Sequence, residues 1–431
     1  MTTAPVPAGT SRRGLVLVAT AVVLTGFNLR TAVNGVGPVL QEIEQGLGIS
    51  SGAAGLITTM PLLCFSVIGF AGPPLAARFR DGHVLAAALL VMAVGLLGRA
   101  AAPSFWLFLL GTVATMVGGA LGNVLLPGIV KHWFPHRTGL LVGAYSTTMA
   151  IGGAVASVST APIAAAVGAD GWRWALGVWA VFAVLAVLPW LAVPRRSGGP
   201  AGPDPSVRLR ALVRSSLAWQ LAFFFGLQAM QAYIIIGWAP QYLRDAGLSA
   251  SAAGVLAGIN ALIAIPLNAV VPSGAVRQSW QRPMLVAFMT CYLVGWTGLL
   301  LAPVSLPWLW MVLLGVGMGT FAMVLTLLGL RAQTPRTVNA LSTVVQGWGY
   351  AISAAGPVLV GLLRGLTGGY TGMFVLVYAG VAGLLVTGWL VCADRYVDDE
   401  VPGLRAAPAE RGTTVEAAGA ESPVVVDRTG S

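Results

Sequence analysis

The stretch FNLRTAVNGVGPVL, residues 27–40, places Arg30 among Asn28, Thr31 and Asn34 in an otherwise apolar run. A guanidinium is permanently charged, and its planar fork of donors matches carboxylates and other small oxyanions. On a helix Asn34 lies four residues beyond Arg30 and shares its face, while Asn28 and Thr31, three apart, form the neighbouring stripe. Polar side chains stand mid-run elsewhere too: Asn123, Tyr145, Gln228, Gln231, Asn260, and Gln346 with Tyr350. With Arg30, Asn28 and Asn34 they make up the candidate substrate-binding residues. Taken singly, each fits a hydrogen bond between helices nearly as well as a ligand contact. As a set they favour a polar central site.

Other chemistry finds little support. Cys64, Cys291 and Cys392 fall in three separate runs without paired spacing, so neither a metal site nor a disulfide framework is indicated. His83, His132 and His136 lie between runs, and no His-Glu-x-x-His or Gly-x-Ser-x-Gly stretch occurs. The chain is therefore read as a non-enzyme with no catalytic residues and no cofactor. GVGMGT (315–320) mimics a phosphate-binding loop, which needs a strand before it and a helix N-terminus after it. Inside an apolar run it reads as close helix packing, like GGALG (118–122) and AIGGAVAS (150–157).

The elements that must position these residues are membrane helices. Of the 431 residues 57% are hydrophobic and 9% charged, against about 25% charged in an ordinary soluble protein. Twelve apolar runs, each near the roughly 20 residues a spanning helix needs, cover 15–40, 53–77, 84–102, 105–130, 138–166, 174–193, 217–242, 251–272, 284–302, 307–329, 341–366 and 371–393. They are too long for strands and do not alternate. Gly and Pro inside them are tolerated in membrane helices, where neighbours re-satisfy the freed backbone groups. SRRGLVLVATAVVLTGF (11–27) has the plan of a secretory signal, but no small-residue cleavage site follows and eleven more runs do. It is read as an uncleaved first helix. Residues 1–14 and 394–431 are too polar to bury anything and are expected to be disordered.

Basic residues occupy every second loop: Arg12 and Arg13; Arg78 and Arg80; Lys131 and Arg137; Arg195, Arg196, Arg208, Arg210 and Arg214; Arg277 and Arg282; Arg331 and Arg336. Glu42, Glu44, Asp170 and Asp245 fall in the other set. By the positive-inside rule both termini and the central linker face the cytoplasm, as for a multi-pass protein of the cytoplasmic membrane. The formal charge of +10 is then topogenic, and a nucleic-acid partner is not expected.

The linker, 194–216, separates a six-helix bundle at 15–193 from another at 217–393. GLGISSGAAGLITTMP (46–61) overlies DAGLSASAAGVLAGIN (245–260) at an offset of 199, and FPHRTGLLVGAYS (134–146) is echoed by TPRTVNALSTVV (334–345). Two halves of one parent design follow. In plan, and in the pieces NLRTAVNGVGPVL, GLITTMPLLCF, ALGNVLLPGIVKHWFP and GWRWALGVWA, the chain resembles the major facilitator superfamily, in its branch of cyanate and 2-nitroimidazole transporters. The resemblance covers roughly residues 15–393. It implies an all-α fold of twelve transmembrane helices in two six-helix bundles, with a centre lined chiefly by spans 1, 4, 7 and 10, and with 2, 5, 8 and 11 contributing. Relatives often carry proline where this chain has Thr31. The usual loop between spans 2 and 3 survives only as GPPLAARFRDGH (72–83).

The nearest charges flanking Arg30 are Arg13 and Glu42, which puts Arg30 close to the bilayer centre. A charge there costs about 2.5–3.5 kcal/mol on insertion scales. It is read as facing a water-filled cavity, with a structural hydrogen-bond anchor or lipid-facing snorkelling as the alternatives. No Asp, Glu or His falls inside the twelve runs, so the ligand is the natural source of negative charge, unless backbone carbonyls or amide oxygens satisfy Arg30 instead. Arg99, at the outer end of span 3, is expected to snorkel at the interface. The function expected is a monomeric secondary transporter in the lipid bilayer, moving a small anionic solute, cyanate-like or another small organic anion, by alternating access. A coupling proton or a counter-transported solute remains open. The alternative is an exporter of neutral nitroimidazole-like or other small aromatic compounds, with Trp238 and Trp348 as stacking surfaces. A transporter-like sensor would need a long ordered cytoplasmic domain, which the sequence does not show.

Overall fold

The computed structural model describes residues 12–78, 82–193 and 209–401. The N-terminal stretch 1–11, Arg80, the linker arginines Arg195, Arg196 and Arg208, and the tail 402–431 lie outside the described residues. Among the described residues there are helices and no strands. Twelve of the helices are long and apolar enough to cross a membrane. They are α1 (Arg13–Leu47), α2 (Ser51–Ala71), α3 (Gly82–Ala101), α4 (Phe105–Trp133), α5 (Pro135–Val167), α6 (Gly171–Ala192), α7 (Ser216–Asp245), α8 (Ala250–Ala275), α9 (Gln278–Leu301), α10 (Pro307–Leu330), α11 (Arg336–Thr367) and α12 (Thr371–Val391). A short helix, α13 (Val397–Glu400), follows.

The expected runs and these helices agree to within a few residues except in α1. That span continues past residue 40 to Leu47, with a 3-10 turn at Gly37–Val39 between its two α-helical parts. Pro38 has no amide to donate, which breaks the ladder. Leu40 and Ile43 then bury one face of the last turns. The repeat is visible in the caps. Ser50 Oγ accepts from the Ala53 amide and Ser249 Oγ from the Ala252 amide, at the offset of 199 seen in the sequence. GVGMGT sits at the break in α10 between Gly317 and Thr320. A Cβ on Gly317 or Gly319 would come within 2.7 Å of the Tyr292 or Phe288 ring of α9, so these glycines serve close packing.

Within the first half α1 packs on α5 and α6, and α3 on α4 and α6; within the second α7 packs on α11 and α12, and α9 on α10. Between them α2 lies against α11 and α5 against α8. The helix ends define an acidic end, holding Glu42, Glu44, Asp170 and Asp245, and a basic end, holding Lys131, Arg277 and Arg331.

The tail expected to be disordered from residue 394 is ordered as far as Val401. Val397 and Asp398 are 0% exposed. The polar residues are used as caps: Asp398 accepts from the Gln333 amide and the Thr337 hydroxyl, both at 2.8 Å, before α11. Glu400 accepts from Ser215 Oγ at 2.7 Å, from the Leu217 amide at 3.1 Å and from Ser216 Oγ at the start of α7. A carboxylate beside the free amides of a helix start is favoured by hydrogen bonding and by the helix dipole. Arg331, read as a topogenic loop cation, is buried as well. It donates to the Val391 carbonyl at 2.9 Å and to Gln281 at 2.7 Å.

Burial pushes the Glu400 carboxyl up, but the bonds from Ser215, Leu217 and Ser216 and the Arg395 charge outweigh it and hold it below its ordinary value. Such a group adds stability above the unfolded carboxylate pKa of about 4.3. That stability is lost as pH falls through the lower folded value. Glu400→Gln is expected to melt below wild type at pH 7, with the gap closing once pH drops under about 4. Thermal unfolding of the detergent-solubilised protein across that range measures it.

A candidate substrate site at the bundle centre

Arg30 lies near the middle of the 35-residue span of α1. It is half-buried, whereas residues 31–40, toward the acidic end, are all buried. Exposure along this face therefore stops at Arg30. The arginine is not turned to lipid: its guanidinium lies near the Tyr233 hydroxyl of α7 and, at longer range, near Tyr350 of α11. No carboxylate among the described residues forms an ion pair with it. Its stem lies close to Gly153 of α5, where a Cβ would come 3.3 Å from Arg30 Cβ and 2.9 Å from Asn34 Nδ2. The glycine in AIGGAVAS thus makes room for the polar stripe.

The candidate residues do not all meet at Arg30. Arg30, Asn34, Gln228 and Tyr350 either belong to this contact set or hold unspent polar atoms: the Asn34 Oδ1 and Gln228 Oε1 atoms are buried without a partner. Tyr350 also packs against Phe65 and Phe225, with ring centroids 5.3 and 5.0 Å away. Asn28, whose Oδ1 is likewise buried without a partner, Gln231 and Asn260 rivet helices together. Asn28 donates to the Phe182 carbonyl of α6 at 3.1 Å. Gln231 donates to Val377 of α12 at 2.7 Å and accepts from Trp296 of α9 at 3.0 Å. Asn260 donates to Met311 of α10 at 3.1 Å. Gln346 is bonded within α11 to Ser342 at 2.7 Å. Asn123 on α4 and Tyr145 on α5 are half-buried. Thr31, where relatives often have proline, closes its own helix by donating to the Asn28 carbonyl at 3.0 Å.

Two expectations fail. Arg99 does not snorkel: it is 0% exposed and donates to the Ala32 carbonyl of α1 at 3.1 Å. The stripe Gly111, Thr115 and Gly118 on α4 lets α3 approach so closely that a Cβ on Gly111 would stand 2.6 Å from the Arg99 amide. This packing turns the side chain inward. The stacking surfaces are also misplaced: Trp238 is fully buried, and Trp348 is 40% exposed and packs on Phe70 and Trp219. Tyr233 was not singled out in the sequence, where it stands between Gln231 and the apolar IIIGW.

The acidic end is clamped between the halves. Arg244 of α7 pairs bidentately with Glu42 of α1, both contacts at 2.7 Å, and donates to the Pro38 carbonyl at 2.9 Å. Arg364 of α11 meets Asp245 at 2.9 Å and Glu44 at 3.5 Å. Gln241 donates to Glu44 at 3.0 Å, and Tyr370 to Asp245 at 2.6 Å. Burial, seconded by that bond, raises the Tyr370 hydroxyl far above its usual range, so it stays a donor. Backbone contact is close here too, since Gly37 lies on the Ile236 carbonyl and Gly254 on Ser157. Toward the basic end Gly128, Gly139 and Gly143 of α4 and α5 have open space where a Cβ would stand.

A helical membrane bundle with a charged, partly accessible centre and one clamped end defines a membrane transporter. The chain belongs to the Major Facilitator Superfamily, whose family model matches residues 18–357. It is 34% identical to the 2-nitroimidazole transporter of Escherichia coli over 383 residues, 88% of this chain and 96% of that one. It is 28% identical to the cyanate transport protein CynX of Escherichia coli, over 89% of this chain and 97% of that one. A point mutant of the nucleoside transporter NupG shares the fold with a TM-score of 0.73 at 12% identity, covering 88% of this chain and 99% of that one.

Glu42→Gln leaves Arg244 without its bidentate partner. At roughly 1 kcal/mol for a partly exposed pair, a single cysteine placed at Val36 should react about fivefold faster with an impermeant thiol reagent. The background would carry replacements of Cys64, Cys291 and Cys392.

Proposed function

We propose that the protein carries a small anion across the cytoplasmic membrane by alternating access, with Arg30 as the central binding group. The observation that carries this reading is the half-buried guanidinium at mid-span, held between the tyrosines of α7 and α11 with no ion-pair partner among the described residues. A cation in a low-dielectric interior needs compensation, and an arriving anion supplies it. Arg30 joins α1 of the first half to α7 and α11 of the second, so a bound solute touches both bodies that must move. By the positive-inside rule the basic end is cytoplasmic. The clamp of Glu42, Glu44, Arg244, Asp245 and Arg364 is then the outer gate, and access to Arg30 is from the cytoplasm.

The relative named as a cyanate transport protein supports a small anionic substrate. A second reading, export of a neutral nitroaromatic compound, is favoured by the relative named as a 2-nitroimidazole transporter. The Tyr350 ring beside Phe65 and Phe225 offers an aromatic wall next to Arg30, and a nitro group presents two acceptor oxygens to the same fork.

Uptake into proteoliposomes separates the two readings, with radiolabelled cyanate in one arm and 2-nitroimidazole in the other. A hydrogen bond to a charged group is worth roughly 1.5–3 kcal/mol. Arg30→Gln should therefore lower cyanate transport about 10- to 100-fold, with Arg30→Lys falling between it and wild type. Undiminished cyanate transport by a folded Arg30→Gln protein sinks the anion reading. Transport of 2-nitroimidazole but not cyanate by wild type establishes the second.

A further inference from the structure

Beyond Arg30, toward the acidic end, a small chamber of ≈ 20 Å³ lies between α1, α2, α3, α4 and α7. Arg99 lines it together with Ala32, Ile57, Thr58, Thr112 and Tyr233. Its walls are otherwise aliphatic. The Arg99 guanidinium spends Nη1 on the Ala32 carbonyl, while Nε and Nη2 are buried with no hydrogen-bond partner. Those two nitrogens form the side edge of the fork, whose parallel N–H groups suit an anion. Thr58 and Thr112 already donate their protons to carbonyls of their own helices, Thr58 to Gly55 and Thr112 to Phe108. Among the side chains lining the chamber, the buried donor atoms left without a partner are those of Arg99.

We infer that Arg99 and this chamber form a second anion station on the outer side of Arg30, taking a small monoanion of a few heavy atoms. The size follows from the chamber, which has room for one or two water molecules, each needing about 10–15 Å³ of such space. The charge follows from the guanidinium, whose burial with two unpartnered nitrogens is costly unless a negative group meets them. Tyr233 belongs to both places: it contacts Arg30 on one side and lines the chamber on the other. It thus stands as the partition through which an anion passes from one arginine to the other. The station rests on the anion reading of the central site and extends it into a two-step path. It also limits the cargo, because a substrate larger than the chamber can occupy Arg30 but not follow to Arg99.

Isotope-edited infrared spectroscopy of the full-length protein with [13C]cyanate tests this, since the stretching band of the anion moves on leaving water for a guanidinium. Wild type should show two bound bands. Arg99→Gln should abolish one of them and Arg30→Gln the other. Ala32→Val keeps the Arg99 fork and fills the chamber with two methyl groups, so it should weaken the Arg99-dependent band at least tenfold even if Arg99→Gln folds poorly. A purely structural role for Arg99 would move neither band. Two unchanged bands in Arg99→Gln, or a single wild-type band that only Arg30→Gln removes, overturns the second station and leaves the central site standing. Loss of a band in Arg99→Gln with Arg30→Gln binding like wild type overturns the central site instead. The absence of any bound band in wild type overturns both.

Discussion

A guanidinium halfway along a membrane-spanning helix has to be given, by protein, what water would have supplied. The bundle is arranged around that demand. Gly153 clears space for the Arg30 stem, the tyrosines of α7 and α11 reach its head from the other half, and the helix beyond it toward the acidic end is buried. Solvation of one charge thereby draws together helices from both halves. The polar amides that look interchangeable in sequence are divided by this geometry into those near the charge and those, such as Gln231 and Asn260, that are consumed in holding the surrounding helices in place.

Most of the fold was legible in the residues. Runs of the right length, loops of alternating charge and a repeat at an offset of 199 are each imposed by the bilayer, and each is found in the helices and in the paired serine caps. What failed to show had a common cause: depth along a helix is written in the sequence, but rotation about its axis depends on neighbours. Arg99 sits near the end of α3 and was judged by that depth. The Gly111, Thr115 and Gly118 stripe on α4 decides which way it points, and that stripe was the available signal. The same holds for Tyr233, which an apolar neighbourhood disguised, and for Trp238 and Trp348, whose rings face elsewhere. The stretch 394–401 departs from expectation for another reason. Its acidic residues were weighed for what they can bury, not for the helix starts they can cap.

The two ends of the bundle also differ in the kind of bond that holds them. At the acidic end the ion pairs between halves, Arg244 with Glu42 and Arg364 with Glu44, involve partly exposed side chains, each weak enough to break singly and re-form. Near the centre the ties within a half are carbonyl and amide hydrogen bonds buried from water, such as Trp296 to Gln231. Breaking one of those strands a polar group in an apolar setting, which costs more.

The ordered end of the chain adds to this. Through Asp398, Glu400 and Arg395 it grips the starts of α7 and α11, while Arg331 beside it reaches α9 and α12. The basic ends of these helices are thereby laced into one plate. A shift of any one of these ends is therefore shared with the others through the bonds that join them. The residues just after the last span are in this sense a clasp that keeps those helix ends in register.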